Sequence, residues 1–351
     1  MVEYINKQFK DIKGDENMTI LVTGGAGYIG SHTCIELINE GYDVVVIDNL
    51  VNSHKEVIEK IEFITQKKIY FYEAGLENKK MLESIFQKHD IKVVIHFASL
   101  KSISESVEKP LEYYSNNLIG FIVLCDVMKR NNVKRLIFSS SATVYGNPHV
   151  VPIKENFPTS TTNPYGNTKL IIEDILHDLY KSDKSWSIAL LRYFNPTGAH
   201  FSGLIGEDPN GMPNNLIPYI AKVAIGQLEY LNVFGSDYPT KDGTGVRDYI
   251  HVIDLSRGHV KAIHKIINST GIDTYNLGTG KGYSVLEIIK AFEKVCGKKI
   301  KYKITDRRKG DIAVCYADIN KAREELKWEA KMNLEEMCRD TWNFTKKSHE
   351  K

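Results

Sequence analysis

The sequence predicts an α/β protein, a doubly wound parallel sheet followed by a smaller α/β domain. Three observations carry this. Its short apolar runs are continuous, without polar alternation, which marks strands buried on both faces. They take turns with segments of helical period. After Asn195 the order breaks into HFSGLIGEDPNGMPNNL, rich in Gly, Pro and Asn, and the later elements are irregular. With 351 residues, 42% of them hydrophobic, the chain has room for two domains. The expected boundaries are a polar extension outside the fold at 1–17, a first domain at 18–195 and a second at 196–345, with some of its chain returning to the first.

The elements follow in order. TILVTG is the first strand, and SHTCIELINEG a helix closed by Gly41. DVVVID and KIYFYEA are the next two strands, and KVVIHFAS is the fourth. A helix through LIGFIVLCDVMKR leads to RLIFSSS, the fifth. A helix starting near Pro164 carries YGNTKLIIEDILHDLY, and SIALLRYFN is the sixth strand. In the second part, Ser284 and Glu287 have the spacing of a capping box, so the glycine-rich GTGKG at 278–282 reads as a turn before a helix.

Lys and Arg number 46 against 44 Asp and Glu, a net charge of +2 that points to neither nucleic acid nor a membrane surface. No apolar run approaches the ~18 residues of a membrane span. Residues 1–17 lack the apolar core of a signal peptide. The five cysteines, Cys34, Cys125, Cys296, Cys315 and Cys338, are scattered and odd in number, which suits free thiols in a cytoplasmic protein. No metal site is expected. His251 and Asp254 in RDYIHVIDL are too few to ligate one.

The stretch ILVTGGAGYIG at 20–30 carries the first chemical signal. Gly24, Gly27 and Gly30 follow a strand and open a helix. Glycine there lets backbone approach a ligand closely, and the helix N-terminus offers free N–H groups to a pyrophosphate. Asp48 ends the second strand, 18 residues beyond Gly30. That is near the ~20 expected of a ribose-binding carboxylate in a Rossmann dinucleotide fold. A carboxylate there repels a 2′-phosphate, so NAD is favoured over NADP.

Hydride transfer from an alcohol needs a base for the hydroxyl proton. NPYGNTK supplies Tyr165 and Lys169, four residues apart and on one helix face. A tyrosine near pKa 10 is a poor base at neutral pH unless a nearby cation favours phenolate. The chain holds two Tyr-x-x-x-Lys pairs, and the second, Tyr180 and Lys184, runs into the polar KSDKSW and reads as surface. Ser141 ends RLIFSSS at the carboxyl edge of the fifth strand, where doubly wound folds bind ligands. Its hydroxyl can bond the reacting oxygen.

The spacing G-x-x-G-x-x-G resembles the extended short-chain dehydrogenase/reductase family. SSSATVYG, KPLEYY, LRYFNPTGAH, MPNNLIPYI and DGTGVRDYIHVIDL occur in order over residues 18–345. Together they resemble the UDP-glucose 4-epimerase family within it. The resemblance implies an isomerase with tightly held NAD, a homodimer, and interconversion of UDP-galactose and UDP-glucose in galactose metabolism and nucleotide-sugar supply. It makes Tyr165 the base, Lys169 its tuner and Ser141 the hydroxyl partner.

Around NAD the resemblance sets Tyr28, Ile29, Asn49, Leu50, Asn52 and Ser53 beside the glycines and Asp48. It adds Gly75, Leu76, Phe97, Ala98, Ser99 and Lys101, then Asn116, Ser139 and Phe194. Around the UDP-sugar it implies Thr143, Asn195, Asn215 and Leu216, then Asn232, Val233 and Phe234, then Arg247, Arg308, Asp311 and Cys315. Two arginines suit the diphosphate, and Phe234 suits uracil. Nucleotide-sugar 4,6-dehydratases carry an Asp-Glu pair where this chain has Ala142-Thr143, which argues against elimination. A UDP-glucuronate 4-epimerase, with the same catalytic trio, stays open as an alternative.

Two departures stand out. Family members usually carry an Asp at the position of Gly75, bonding the adenine amino group, so NAD is expected to be held more loosely here unless Glu73, Glu77 or water compensates. Ser99 stands where Gly is usual. At Cys315 a Tyr is associated with simple hexoses and a small residue with N-acetylated sugars. UDP-GlcNAc and UDP-GalNAc are therefore expected as additional substrates.

Overall fold

The computed structural model describes residues 18–211, 213, 215–308 and 311–350. The expected extension at 1–17 lies outside the described residues. Seven parallel strands form one sheet: β1 (Thr19–Thr23), β2 (Asp43–Asp48), β3 (Tyr70–Glu73), β4 (Ile91–His96), β5 (Arg135–Ser141), β6 (Ser187–Tyr193) and β10 (Gly271–Leu277). Their order is β10-β6-β5-β4-β1-β2-β3. The order reverses between β1 and β4, which opens a crevice at their carboxyl ends. The unbroken apolar runs have the expected cause. In β1, Ile20 and Val22 enter the core on one face of the sheet and Leu21 the core on the other.

The seventh strand, β10, was not expected. GIDTYNL lacks a continuous apolar run because it lies at the sheet edge, where Gly271–Thr274 are half-exposed and only the last three residues are buried. The helix Val252–Ile267 also serves the first sheet. It packs on the helix Tyr28–Asn39, with Thr33 Oγ1 donating to Ser256 Oγ at 3.2 Å and Arg257 Nε to Glu36 at 3.0 Å.

The smaller unit has its own core of Ile217, Ile220, Phe292, Met337 and Trp342, among others. Its central strand β9 (Val246–His251) pairs with β7 (Asn195–Thr197), β11 (Gly282–Ser284) and β13 (Val314–Cys315). Strand β8 (Leu231–Phe234) pairs in parallel with β12 (Tyr302–Thr305). The turn at 278–282 is bound to Asp248, which accepts from Thr279 N at 2.8 Å and Gly280 N at 3.0 Å. Ser284 and Glu287 form the capping box that opens the helix Val285–Cys296.

Candidate active site

A cavity of about 490 Å³ lies at the carboxyl ends of β1, β2, β4 and β5, between the large sheet and the smaller unit. The glycine turn forms one wall. Gly24 has φ of +74°, and a β-carbon there would stand 2.7 Å from Ala98 N. A β-carbon on Gly30 would stand 2.2 Å from the Gly24 carbonyl oxygen. Gly27 caps the helix Tyr28–Asn39 without a side-chain bond. Its first N–H groups are therefore available to an anion.

Asp48 is buried at the end of β2, 8% exposed. It accepts from Ala26 N at 3.0 Å, Leu50 N at 2.9 Å and Ser53 Oγ at 3.1 Å. These bonds fix the carboxylate against the glycine turn, and a carboxylate has lone pairs for further donors. Leu50, with φ of +59°, does not line the cavity and contributes its backbone N–H to Asp48. Asn49, Asn52, Ser53, Gly75 and Leu76 line this end; Phe97, Ala98, Ser99, Lys101 and Asn116 continue the wall. Asn116 arrives on a wide π-type turn, Ser115–Ile119. Within it Asn117 is pinned by Leu100 and by Thr168 Oγ1 at 3.0 Å.

Ser139, Ser141, Thr143, Tyr165, Lys169, Phe194 and Asn195 meet in the middle. Asn163 caps the helix Pro164–Ser182, accepting from Gly166 N at 2.8 Å, and so aims Tyr165 into the cavity. Ser141 Oγ accepts from Thr143 N at 3.2 Å, which leaves its proton free to donate. Lys169 donates to the Ser139 carbonyl at 2.9 Å, with Nζ 5.9 Å from the Tyr165 ring centre.

Burial governs both titrating groups. It raises the Tyr165 phenol, against a lowering by the Ser141 hydrogen bond. It lowers the Lys169 ammonium to about 7, with Glu173 acting the other way. The expected tuning of tyrosine by lysine is thus not the dominant effect without a bound cation: desolvation opposes both charged forms. Tyr180 and Lys184 lie at the helix end as expected, with Nζ 4.2 Å from the ring centre and the lysine exposed.

On the far side stand Asn215, Arg247, Asp311 and Cys315. Cys315 is next to Arg247 in register with β9, and burial raises its thiol to about 11. Phe234 and Arg308 do not line the cavity but adjoin it. The Arg308 guanidinium lies 4.7 Å from the Phe234 ring centre and donates to Asp311 at 3.0 Å. Arg247 approaches the same carboxylate at 3.8 Å. Leu216, Asn232 and Val233 also lie off the cavity, Val233 buried in the smaller core with Leu216 packed against it.

Sequence reasoning missed two features. One is the buried chain beneath Ser141, in which Ser140 Oγ donates to Glu173 at 2.5 Å and Arg192 clamps Glu173 at 3.0 and 2.6 Å. The other is Glu207, a carboxylate inside the cavity. Its only sequence signal was an acidic pair in the glycine-rich segment.

The model of the GDP-mannose 4,6 dehydratase family matches residues 21–341. The UDP-glucose 4-epimerase of Bacillus subtilis is 63% identical over 327 residues, covering 93% of this chain and 96% of that protein. A UDP-glucose 4-epimerase from Bifidobacterium longum, solved in complex with NAD+ and UDP, superposes with a TM-score of 0.92 at 55% identity, covering 95% of this chain and 99% of that one. The UDP-Glc/GlcNAc 4-epimerase of Campylobacter jejuni superposes with a TM-score of 0.83 at 34% identity, covering 94% and 99%. With a glycine turn, a Tyr-Lys-Ser centre and relatives matched over nearly their full length, the chain belongs to the UDP-glucose 4-epimerase family of the extended short-chain dehydrogenases/reductases.

Proposed function

We propose that the protein interconverts UDP-galactose and UDP-glucose by inversion at C4, with NAD as resident cofactor. The carrying observation is that Tyr165, Ser141 and Lys169 stand in one cavity between the glycine turn and the arginine-lined wall. The cradle fits the dinucleotide: β-carbons on Gly24 or Gly30 would collide with the backbone of Ala98 and Gly24, so only glycines allow the tight turn that lines the cavity beside Asp48. When bound, NAD accepts the C4 hydrogen as hydride and gives it back.

The chain's own groups do the rest. Tyr165 takes the proton from the sugar 4-hydroxyl and returns it to the same oxygen. Ser141 donates to that oxygen. Lys169 holds a proton beneath the tyrosine and reaches toward the nicotinamide ribose. Arg247, with Arg308 close by, holds the diphosphate while the 4-keto hexose turns over; remote binding energy thereby keeps the intermediate in place. Ala142 and Thr143 follow Ser141 and offer no carboxylate for an elimination.

The rest of the site follows the same reading. Residues 18–195 with the returning strand form the NAD domain, and 196–345 supply the UDP-sugar wall. Cys315 leaves room beside the hexose 2-substituent, so UDP-GlcNAc and UDP-GalNAc are further substrates. Exposed Ile103, Val107, Leu111, Ile119 and Ile122 cluster along 103–122 and support a homodimer. No helix among the described residues is long and apolar enough to cross a membrane, and a cytoplasmic location follows from the proposed chemistry. Purified protein incubated with UDP-galactose should form UDP-glucose, read with a UDP-glucose-specific dehydrogenase; no product would refute the reading.

A further inference from the structure

Glu207 is a cavity carboxylate that the mechanism above does not use. It stands on the segment 206–211, which follows β7. Asn210 fastens that segment to the large unit, its N–H bonding Asn52 Oδ1 at 3.2 Å and its amide the Val51 carbonyl at 3.1 Å. Glu207 Oε1 takes two donors, Lys101 Nζ at 3.0 Å and Asn215 Nδ2 at 2.7 Å. Lys101 follows β4 on the dinucleotide side, with Nζ 5.8 Å from the Tyr28 ring centre. Asn215 caps the helix Leu216–Ala224 on the sugar side. One oxygen thus ties the two walls together.

The other oxygen is the informative one. The Glu207 side chain is 7% exposed, and Oε2 is buried with no hydrogen-bond partner among the described residues. A buried anionic oxygen without a donor is costly. Glu207 lines a cavity whose proposed ligands carry phosphates, which give it no donor, and hydroxyls, which do.

We propose that Glu207 is a positioning residue that couples the two halves of the site. Its Oε1 sets Lys101 and Asn215, and its Oε2 accepts a hydroxyl of the bound ligand, from the hexose or from a dinucleotide ribose. This rests on the functional reading above.

The test compares wild type with Glu207→Gln, which keeps the shape but removes the charge and turns one acceptor into a donor, and with Glu207→Asp, which keeps the charge. Three quantities are read on purified holoenzyme: KM and kcat for UDP-galactose, calorimetric Kd for UDP and for UDP-galactose, and NAD retained per protomer over time. Glu207→Gln should raise KM about tenfold with kcat within about threefold, and Glu207→Asp should recover part of the loss. If the donor is a hexose hydroxyl, binding of UDP-galactose weakens more than binding of UDP. If it is a ribose hydroxyl, the two weaken alike and NAD leaves faster. Unchanged KM, affinities and NAD retention would overturn the proposal, as would a fall in Tm as the sole change. Wild type inert toward UDP-galactose refutes the epimerase reading instead, since the UDP and NAD arms read Glu207 without turnover.

Discussion

Both carboxylate oxygens of Glu77 lie 2.2 Å from where a β-carbon on Gly75 would stand. A carboxylate therefore fills the space beside Gly75, where the family resemblance leads one to expect an aspartate. Gly75 and Glu77 both line the nucleotide end of the cavity, which makes Glu77, two residues further on, the candidate acceptor for an adenine amino group.

The expectation from sequence was that Gly75→Asp tightens NAD. With Glu77 in place an aspartate would displace it and crowd two negative charges. Gly75→Asp alone should leave the NAD off-rate within about twofold, and Glu77→Ala should speed it about tenfold, the worth of one charge-assisted hydrogen bond. Gly75→Asp added to Glu77→Ala should restore slow release. Enzymatic assay of NAD released from the protein over time measures all three, and a Glu77→Ala off-rate equal to wild type contradicts the assignment.

Tyr165→Phe should keep NAD and UDP binding yet lose ~10²–10⁴-fold in kcat, the usual worth of a general base. Tyr180→Phe should change kcat by less than about twofold, since Tyr180 stands at the helix end away from the cavity. Equal losses in the two variants would remove Tyr165 from the mechanism.

Lys169 is predicted to leave a signature in stability against pH. Its ordinary pKa of 10.5 applies unfolded, and burial lowers it to about 7 in the fold. Between those values the unfolded chain binds the extra proton, so stability rises with pH in that window and is lost as pH falls toward 7. Wild type should therefore gain on Lys169→Met by up to ~1.4 kcal/mol per pH unit from pH 7 to 10. Urea unfolding of both proteins at equal nucleotide content tests this; parallel profiles would contradict it.

Cys315→Tyr should abolish conversion of UDP-GlcNAc while sparing UDP-galactose within about fivefold, because a filled pocket discriminates by clash. Chromatography of the two sugar nucleotides after reaction decides it. Wild type inert toward UDP-GlcNAc would contradict the role given to Cys315.

What could be read from sequence depended on how local its signal was. The glycine turn and Asp48 sit within one strand–turn–helix–strand unit, so spacing points to them; the Tyr165–Lys169 pair needed its place in the chain as well, since Tyr180 and Lys184 have the same spacing. Ser141 needed the family resemblance beside its place at the end of a strand. The seventh strand escaped because GIDTYNL is half-exposed at an edge and shows neither periodicity nor an apolar run. Glu207 escaped because its partners, Lys101 and Asn215, lie on different units and meet only in the folded chain. Glu77 is one of the three compensations the sequence leaves open, and its carboxylate is the one that lies against the β-carbon space at Gly75. Burial, which sequence does not show, raises the Tyr165 phenol and lowers the Lys169 ammonium.

The central claim is that the hydrogen leaving C4 of the sugar returns to the same carbon while Tyr165 handles only the oxygen-bound proton. UDP-galactose deuterated at C4 tests it most directly. The UDP-glucose formed should keep the deuterium at C4 by NMR, and unlabelled substrate turned over in D2O should gain none there. Loss of the label to solvent, or deuterium from D2O appearing at C4, would contradict the account.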